Sequence, residues 1–472
     1  MSDAPLPPDY YAHTAPVVAD WANMVNFTPG SYFTPKSLDE VSAILAMLAG
    51  GALGKRSLRV LGGLHSCSTI VQSEVVIDTT HLPLEFTVTP LDGGGGRVVA
   101  SAFMHAHEFL RRAAASSLSL TALGGTDAQT MAGLIATNTA GATVHHSVYE
   151  GLQWAEFLTI GADGKSVVTV TINASDEKFP AVAASLGAIG FMSRVCFDLV
   201  PERYYTGSYK AVPLNSIVGH IEETCQQFDF WRFEWFPETN GSDLCLRWTA
   251  ELFTGPHNPD GDYKPDTSEA ILKYLMKKDE SLFHDGPFTK KELRAEYWLI
   301  MKSYNLLGKI FQDSTATGPM RNIIPVDRMA TLLCAMAEWS FDPADLEKVM
   351  DVCRTYFDAN KWPNLPIEIE CTRTDDFWMS AWNWKGLPYI IKFNFQYLTV
   401  FLSDDQKAEI APHLQGLWNA LDTAGIRFKA HWGKINFLTP EFVAANYQPE
   451  PFLPLTNALF MNDYLRKALP AQ

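Results

Sequence analysis

Residues 58–69 read LRVLGGLHSCST, an apolar strand pattern that runs into two glycines, a histidine and then small hydroxyl residues. A turn built this way carries little side-chain bulk, so successive backbone N–H groups can converge on one anion, as a nest for a diphosphate does. The same glycines would also serve an ordinary turn, and the familiar nucleotide motifs give no help. No GxGxxG follows a strand. The stretch AGGALGKR (49–56) misses the P-loop, because Ala49 stands where the first glycine belongs and Arg56 follows the lysine in place of Ser or Thr.

Two further stretches share this small-residue character. Residues 121–152, TALGGTDAQTMAGLIATNTAGATVHHSVYEGL, and residues 185–191, SLGAIGF, leave room for backbone to approach a flat ring system closely. One such run reads as tight packing. Three of them in one region, with His65 isolated among them, call for a large ligand. His145 and His146 form an adjacent pair without a third ligand at helical or hairpin spacing, so no metal is expected there.

The rest of the chain sets the frame. Its 472 residues exceed one ordinary core and point to two domains or to one domain carrying a large insertion, and 47% hydrophobic content with 28 Phe and 13 Trp marks a globular protein. The net charge of -16, with no Lys/Arg cluster, argues against nucleic acid and anionic membrane surfaces. The N-terminal MSDAPLPPDYYAHTAP has no signal-peptide pattern and no later segment reaches eighteen apolar residues, so the expected location is cytoplasmic. Seven scattered cysteines (67, 196, 225, 245, 334, 353, 371) show no CxxC or zinc spacing and are expected to be reduced and mostly buried.

SLDEVSAILAML (37–48) is an amphipathic helix with Ser37 and Glu40 as a capping box. LRVLG, EVVIDTT and RVVASAF are strands, AHEFLRRAAASS is a helix, and the tetraglycine at 93–96 is a hairpin tip. LTIGADGKSVVTVT is a hairpin about Asp-Gly, and FPAVAASLGAIGFMSRVCFDLVP is a helix, a bend and a strand closed by Pro201. The elements alternate without a simple βαβ rhythm, so the fold class is α+β. Beyond residue 200 come aromatic strands (FDFWRFEWFPETN, CLRWTAELF) and helices (SEAILKYLMKKDESLF, DLEKVMDVCRTYFDA). They are expected to form an antiparallel sheet covered by helices.

RVLGGLHSCS, TMAGLIATNTAG, SLGAIGFMSRV and, near the end, AHWGKINFLTP together resemble the flavoprotein oxidoreductases of the vanillyl-alcohol-oxidase fold, closest to the sugar-lactone and alditol oxidases. The likeness covers roughly residues 20–200 and about 363–440. It implies a two-part FAD-binding domain over residues 1–200, a substrate or cap domain over 201–420, and a C-terminal segment, 421–472, that returns to the active site. It also implies FAD with its diphosphate on Leu61, Gly62, Gly63, Leu64, His65 and Ser66, and with its ring system tethered through the 8α carbon to His65. Further cofactor contacts would come from Gly124, Gly125, Thr130, Gly133, Thr137, Asn138, Thr139, Gly190 and His431. No cysteine lies in 121–152, so a second tether is not expected, and Ala140-Gly141 replaces the His-Gly pair usual in the family.

Dehydrogenating an alcohol requires a cation or base beside the hydroxyl oxygen while hydride leaves the carbon. Lys434 of HWGK is the lysine the family uses to hold the substrate oxygen, with Trp432 packing the site. The family's Glu-x-Arg strand matches PIEIECTRTDDFWMS (366–380), where Glu368 keeps the glutamate but Glu370 stands in place of arginine and Arg373 falls on the opposite face. Two acids on one face repel unless a cation intervenes. Two readings stay open, a cationic amine substrate or a hidden Arg or Lys partner for Glu370. The implied reaction is oxidation of a small CH–OH substrate, with molecular oxygen as acceptor and hydrogen peroxide as product. Gly124 is aligned with the position where the family leaves or closes a path for oxygen.

Overall fold

The computed structural model describes residues 16–51, 53–54, 56–235, 237, 244–256, 314–324, 334–360, 366–399 and 402–471. The helix expected at SEAILKYLMKKDESLF lies outside them. The expected α+β class holds, with one correction at its start. Strands Ser31–Phe33, Val75–Asp78 and Leu58–Leu61 form a small parallel sheet in that order, and the helix Leu38–Ala49 makes the crossover from the first to the third, as parallel pairing requires. That unit is a βαβ, hidden from the sequence because its first strand, Ser31–Phe33, is only three residues long.

Ser37 caps the helix by accepting from the Glu40 N–H, while the Glu40 carboxylate reaches past the cap to the Lys36 N–H, 2.6 Å away. Val41, Ile44, Leu45 and Leu48 turn inward at the predicted spacing.

The second sheet is antiparallel, running Val167–Asn173, Leu152–Ile160, Phe191–Pro201, Gly96–Ser101 and Phe86–Pro90, with Leu118–Ser119 also on the central strand. Gly164 (φ 69) turns the Asp-Gly hairpin, and Gly93 and Gly94 (φ 81 and 84) form the tip between Phe86–Pro90 and Gly96–Ser101, both as read from the sequence. The helix expected from FPAVAASLG is not formed. A single 3₁₀ turn, Phe179–Ala181, is followed by Ala184 and Leu186 in the left-handed region (φ 60 and 57), a conformation no helix can continue through.

The third sheet contains, among the described residues, Ser314–Pro319, Tyr204–Pro213, Leu244–Leu252, Phe230–Trp235, Ile367–Arg373, Tyr389–Leu398, Cys334–Phe341 and Phe428–Ala430 in that order, all antiparallel. One face is apolar. There Ile367, Ile369, Ile391, Phe393 and Phe395 meet Val349, Cys353 and Phe357 of the helix Leu346–Asn360, and Ile410, Leu414 and Leu417 of the helix Asp404–Thr423. Each such side chain, once fully buried, contributes roughly 1.5–3 kcal/mol. Because strand side chains alternate, the apolar face consigns Glu368, Glu370 and Thr372 to the other side. All seven cysteines are buried, and none forms a disulfide.

Candidate active site

The strand Leu58–Leu61 ends at Gly62, and two close approaches show why glycines follow. A Cβ on Gly62 would lie 2.7 Å from Thr130 Oγ1, and one on Gly63 would lie 2.5 Å from the Ala128 carbonyl. Leu64 is held left-handed at φ 56, at a cost of roughly 1–2 kcal/mol for a residue with a Cβ. The reversal leaves the N–H groups of Gly63, Leu64, His65 and Ser66 without a protein acceptor among the described residues. Orphan N–H groups on a concave turn are an anion nest.

A cleft opens along this nest. It is lined by Leu61, Gly62, Gly63, Leu64, His65, Ser66, Thr130, Gly133, Thr137 and Gly190, together with Arg59 and the 185–187 turn. Thr130 also caps the short helix Met131–Ala136, accepting from the Gly133 N–H at 3.1 Å. The remaining expected cofactor residues stand elsewhere. Gly125 is exposed, and Thr139 is buried with its hydroxyl on Gln129 Oε1 at 3.0 Å.

A Cβ on Gly124 would come 2.3 Å from the Thr139 methyl, so this glycine packs directly against that side chain. Asn138 (φ 61) is clamped from the third sheet's long loop: its amide donates to Asp375 at 3.3 Å and accepts from Ser380, while Trp382 Nε1 donates to its carbonyl at 2.7 Å. At the replaced His-Gly pair, the Gly141 carbonyl accepts the Thr372 hydroxyl, and a Cβ on Gly141 would meet the Leu123 carbonyl at 2.5 Å.

The C-terminal HWGK turn follows the sheet's last strand and is fastened to the nest. The Cys67 N–H donates to the Gly433 carbonyl at 2.8 Å and the Ser68 hydroxyl to the Trp432 carbonyl at 2.7 Å. Trp432 is buried, with its indole N–H on the Met379 carbonyl. The His431 N–H donates to the Glu338 carbonyl, and its Nδ1 accepts from the Gly433 N–H, so it orients the turn. Lys434 thus sits beside His65. Burial first, then the charge of Lys434 and His105, hold the His65 imidazole neutral, with its pKa lowered to about 3. Trp21 lies against that ring at 5.2 Å. The Lys434 ammonium lies 3.5 Å from Met336 Sδ, and among the described residues no carboxylate is in ion-pair range of it.

The polar face of the third sheet resolves the question left at Glu370. Lys392, opposite it in register, places Nζ 2.6 Å from Glu370 and 3.2 Å from Glu338. Arg232 on the other neighbouring strand stands 3.4 Å from Glu368, and Asn394 Nδ2 donates to Glu368 at 3.0 Å and Glu370 at 3.4 Å. Burial alone would depress the Lys392 ammonium, but Glu370 and Glu338 hold its pKa above the ordinary value. Burial raises Glu368 in spite of Arg232. Lys392, Arg232, Glu338 and Asn394 were not found from the sequence, since register pairs them across 22 to 138 positions. Arg373 faces away, as expected, and meets Glu150 at 3.3 Å.

His145 and His146 bind no common ligand set. His145 Nε2 lies 2.8 Å from the Cys225 carbonyl and His146 Nδ1 3.3 Å from Glu150. Among the described residues no group of three or more His, Cys, Asp or Glu could hold a metal ion, and no helix is long and apolar enough to cross a membrane.

Comparison with known proteins places the chain in a family. A model of the FAD-binding domain matches residues 29–169, and one of D-arabinono-1,4-lactone oxidase matches residues 195–455, more than half of the chain. The D-arabinono-1,4-lactone oxidase of Debaryomyces hansenii is 23% identical over 390 residues, covering 79% of this chain and 67% of that one. The L-gulonolactone oxidase of Mus musculus is 23% identical over 467 residues, covering 95% and 97%. Among solved structures, a solvent-stable cholesterol oxidase superposes with a TM-score of 0.76 at 14% identity, covering 98% of this chain and 99% of that one. Cholesterol oxidase from B. sterolicum gives 0.72 at 13%, covering both chains completely. At those identities the solved structures speak for the fold alone.

The chain is therefore an FAD-dependent oxidoreductase of the vanillyl-alcohol-oxidase fold. Within that class it belongs to the D-arabinono-1,4-lactone oxidase family, and it is an oxidase.

Proposed function

We propose that the protein oxidises a CH–OH group of a neutral sugar lactone or related polyol, with oxygen as acceptor and hydrogen peroxide as product. The observation that carries this reading is the contrast between Lys434 and the acids: among the described residues no carboxylate lies in ion-pair range of its ammonium, while Glu338, Glu368 and Glu370 each lie against a cation or an amide. Bound FAD supplies the hydride acceptor. Lys434 holds the substrate oxygen and stabilises negative charge as its proton leaves. Trp432 and the fastened turn keep that ammonium beside His65 and exclude water. The lactone oxidase relatives support the substrate class.

The residues fit FAD. The orphan N–H groups at Gly63 to Ser66 would hold its diphosphate, and the small residues along the cleft leave room for it. His65, neutral and with its lone pair available, would carry the covalent link. The expected outcome is that flavin stays with the polypeptide after acid precipitation in the wild type and is released from His65→Ala, as absorbance of pellet and supernatant will show. Flavin in the wild-type supernatant would leave His65 as a contact only.

An amine substrate loses its basis, because the two carboxylates that would have held it already have Arg232 and Lys392. Glu370→Gln leaves Lys392 its second partner, Glu338, and should lower flavin reduction by neutral lactones no more than roughly tenfold, about one charged hydrogen bond. Amines should reduce neither protein. A panel of lactones, polyols and amines, mixed anaerobically with each, decides the matter; reduction by amines that Glu370→Gln abolishes would reverse it.

A further inference from the structure

Among the described residues, Arg59 is the one permanent cation lining the cleft beside Gly62 to Ser66, and the same lining contains no carboxylate. The side chain is 6% exposed. Its Nη1 donates to the carbonyls of Gly187 at 3.2 Å and Phe460 at 3.0 Å, and its Nη2 to that of Leu186 at 2.6 Å. Its Nε has no partner, and no ion pair neutralises the guanidinium among the described residues. Three carbonyl dipoles satisfy N–H groups, yet they bring no net opposite charge. A buried charge without a counter-ion is costly, and proteins retain one where a ligand completes it.

We propose that Arg59 is the counter-charge for the diphosphate of the bound dinucleotide, so that the cleft recognises the anion through one fixed guanidinium plus the orphan N–H groups of Gly63 to Ser66. This rests on the reading of the cleft as the FAD site. Arginine suits the task because it stays charged when buried and presents several donors to phosphate oxygens. Burial draws its pKa down only to about 10, so the group remains a cation through the working range. The three carbonyls hold the side chain in place before the ligand arrives. They belong to the 184–187 turn, with its left-handed Ala184, Leu186 and Gly187, and to the C-terminal segment at Phe460, so cofactor binding and the closure of these segments share one residue.

The test uses full-length apoprotein from riboflavin-starved expression, titrated calorimetrically with FAD, ADP and adenosine, which separates the diphosphate from the adenine. Wild type should bind ADP roughly tenfold to a hundredfold more tightly than adenosine, the range of a charge-assisted phosphate contact. Arg59→Met should reduce that preference to about twofold while leaving adenosine affinity unchanged, and Arg59→Lys should keep part of it. A purely structural role would weaken both ligands together, or lower thermal stability with the preference intact, and either result overturns the proposal. If Arg59→Met fails to fold, Arg59→Lys and the wild-type ratio decide: equal ADP and adenosine affinity in wild type refutes it. Failure of FAD itself to bind would overturn the cofactor reading of the cleft and the role of Arg59 with it.

Discussion

Lys434→Met should retain bound flavin yet reduce it roughly 10²- to 10⁴-fold more slowly under anaerobic substrate, the loss typical of one positioned acid-base group. Methionine matches the length and apolar stem of lysine, and the HWGK turn is held by the Cys67 N–H on the Gly433 carbonyl and the Ser68 hydroxyl on the Trp432 carbonyl, neither of which uses the Lys434 side chain. The fold and the flavin spectrum should therefore be unchanged. Substrate affinity should change much less than the reduction rate, because the ammonium is needed most as the hydroxyl loses its proton. Stopped-flow reduction over a substrate series separates the two. A reduction rate equal to wild type would make the lysine structural.

Lys392→Met should destabilise the folded protein by about 3–5 kcal/mol, the cost of leaving buried charge unpaired. Lys392 is 1% exposed and bridges Glu338 and Glu370, which its removal would strand together. Denaturant titration measures the loss. Adding Glu370→Gln to the variant should restore part of it, because one of the two stranded charges is then gone. A single variant as stable as wild type would mean that water or another group already compensates these acids.

How much of this was legible before folding depended on the distance over which each residue acts. LRVLGGLHSCS could be read because a nest is local: the glycines, Leu64 and the N–H groups belong to one turn. HWGK and the parity of Glu368 and Glu370 were legible too, since alternation along one strand places both acids on one face whatever else the chain does. What the acids face was not. Arg232 and Lys392 reach them only through the registers of three antiparallel strands, and no spacing rule encodes that. The close packing of Gly124 against the Thr139 methyl was hidden for a similar reason, since the two meet only through the fold of the loop between them. The missed parallel unit reflects a different limit, for its first strand, Ser31–Phe33, has three residues, too few to carry a recognisable period.

The most direct test of the central claim is anaerobic mixing of the purified holoprotein with a sugar lactone, following the visible flavin absorption and then readmitting oxygen. The account predicts that the flavin bands bleach with D-arabinono- or L-gulono-1,4-lactone, and that readmitted oxygen restores them with release of one equivalent of hydrogen peroxide. Flavin that stays oxidised with every lactone and polyol, yet bleaches with an amine, would contradict it.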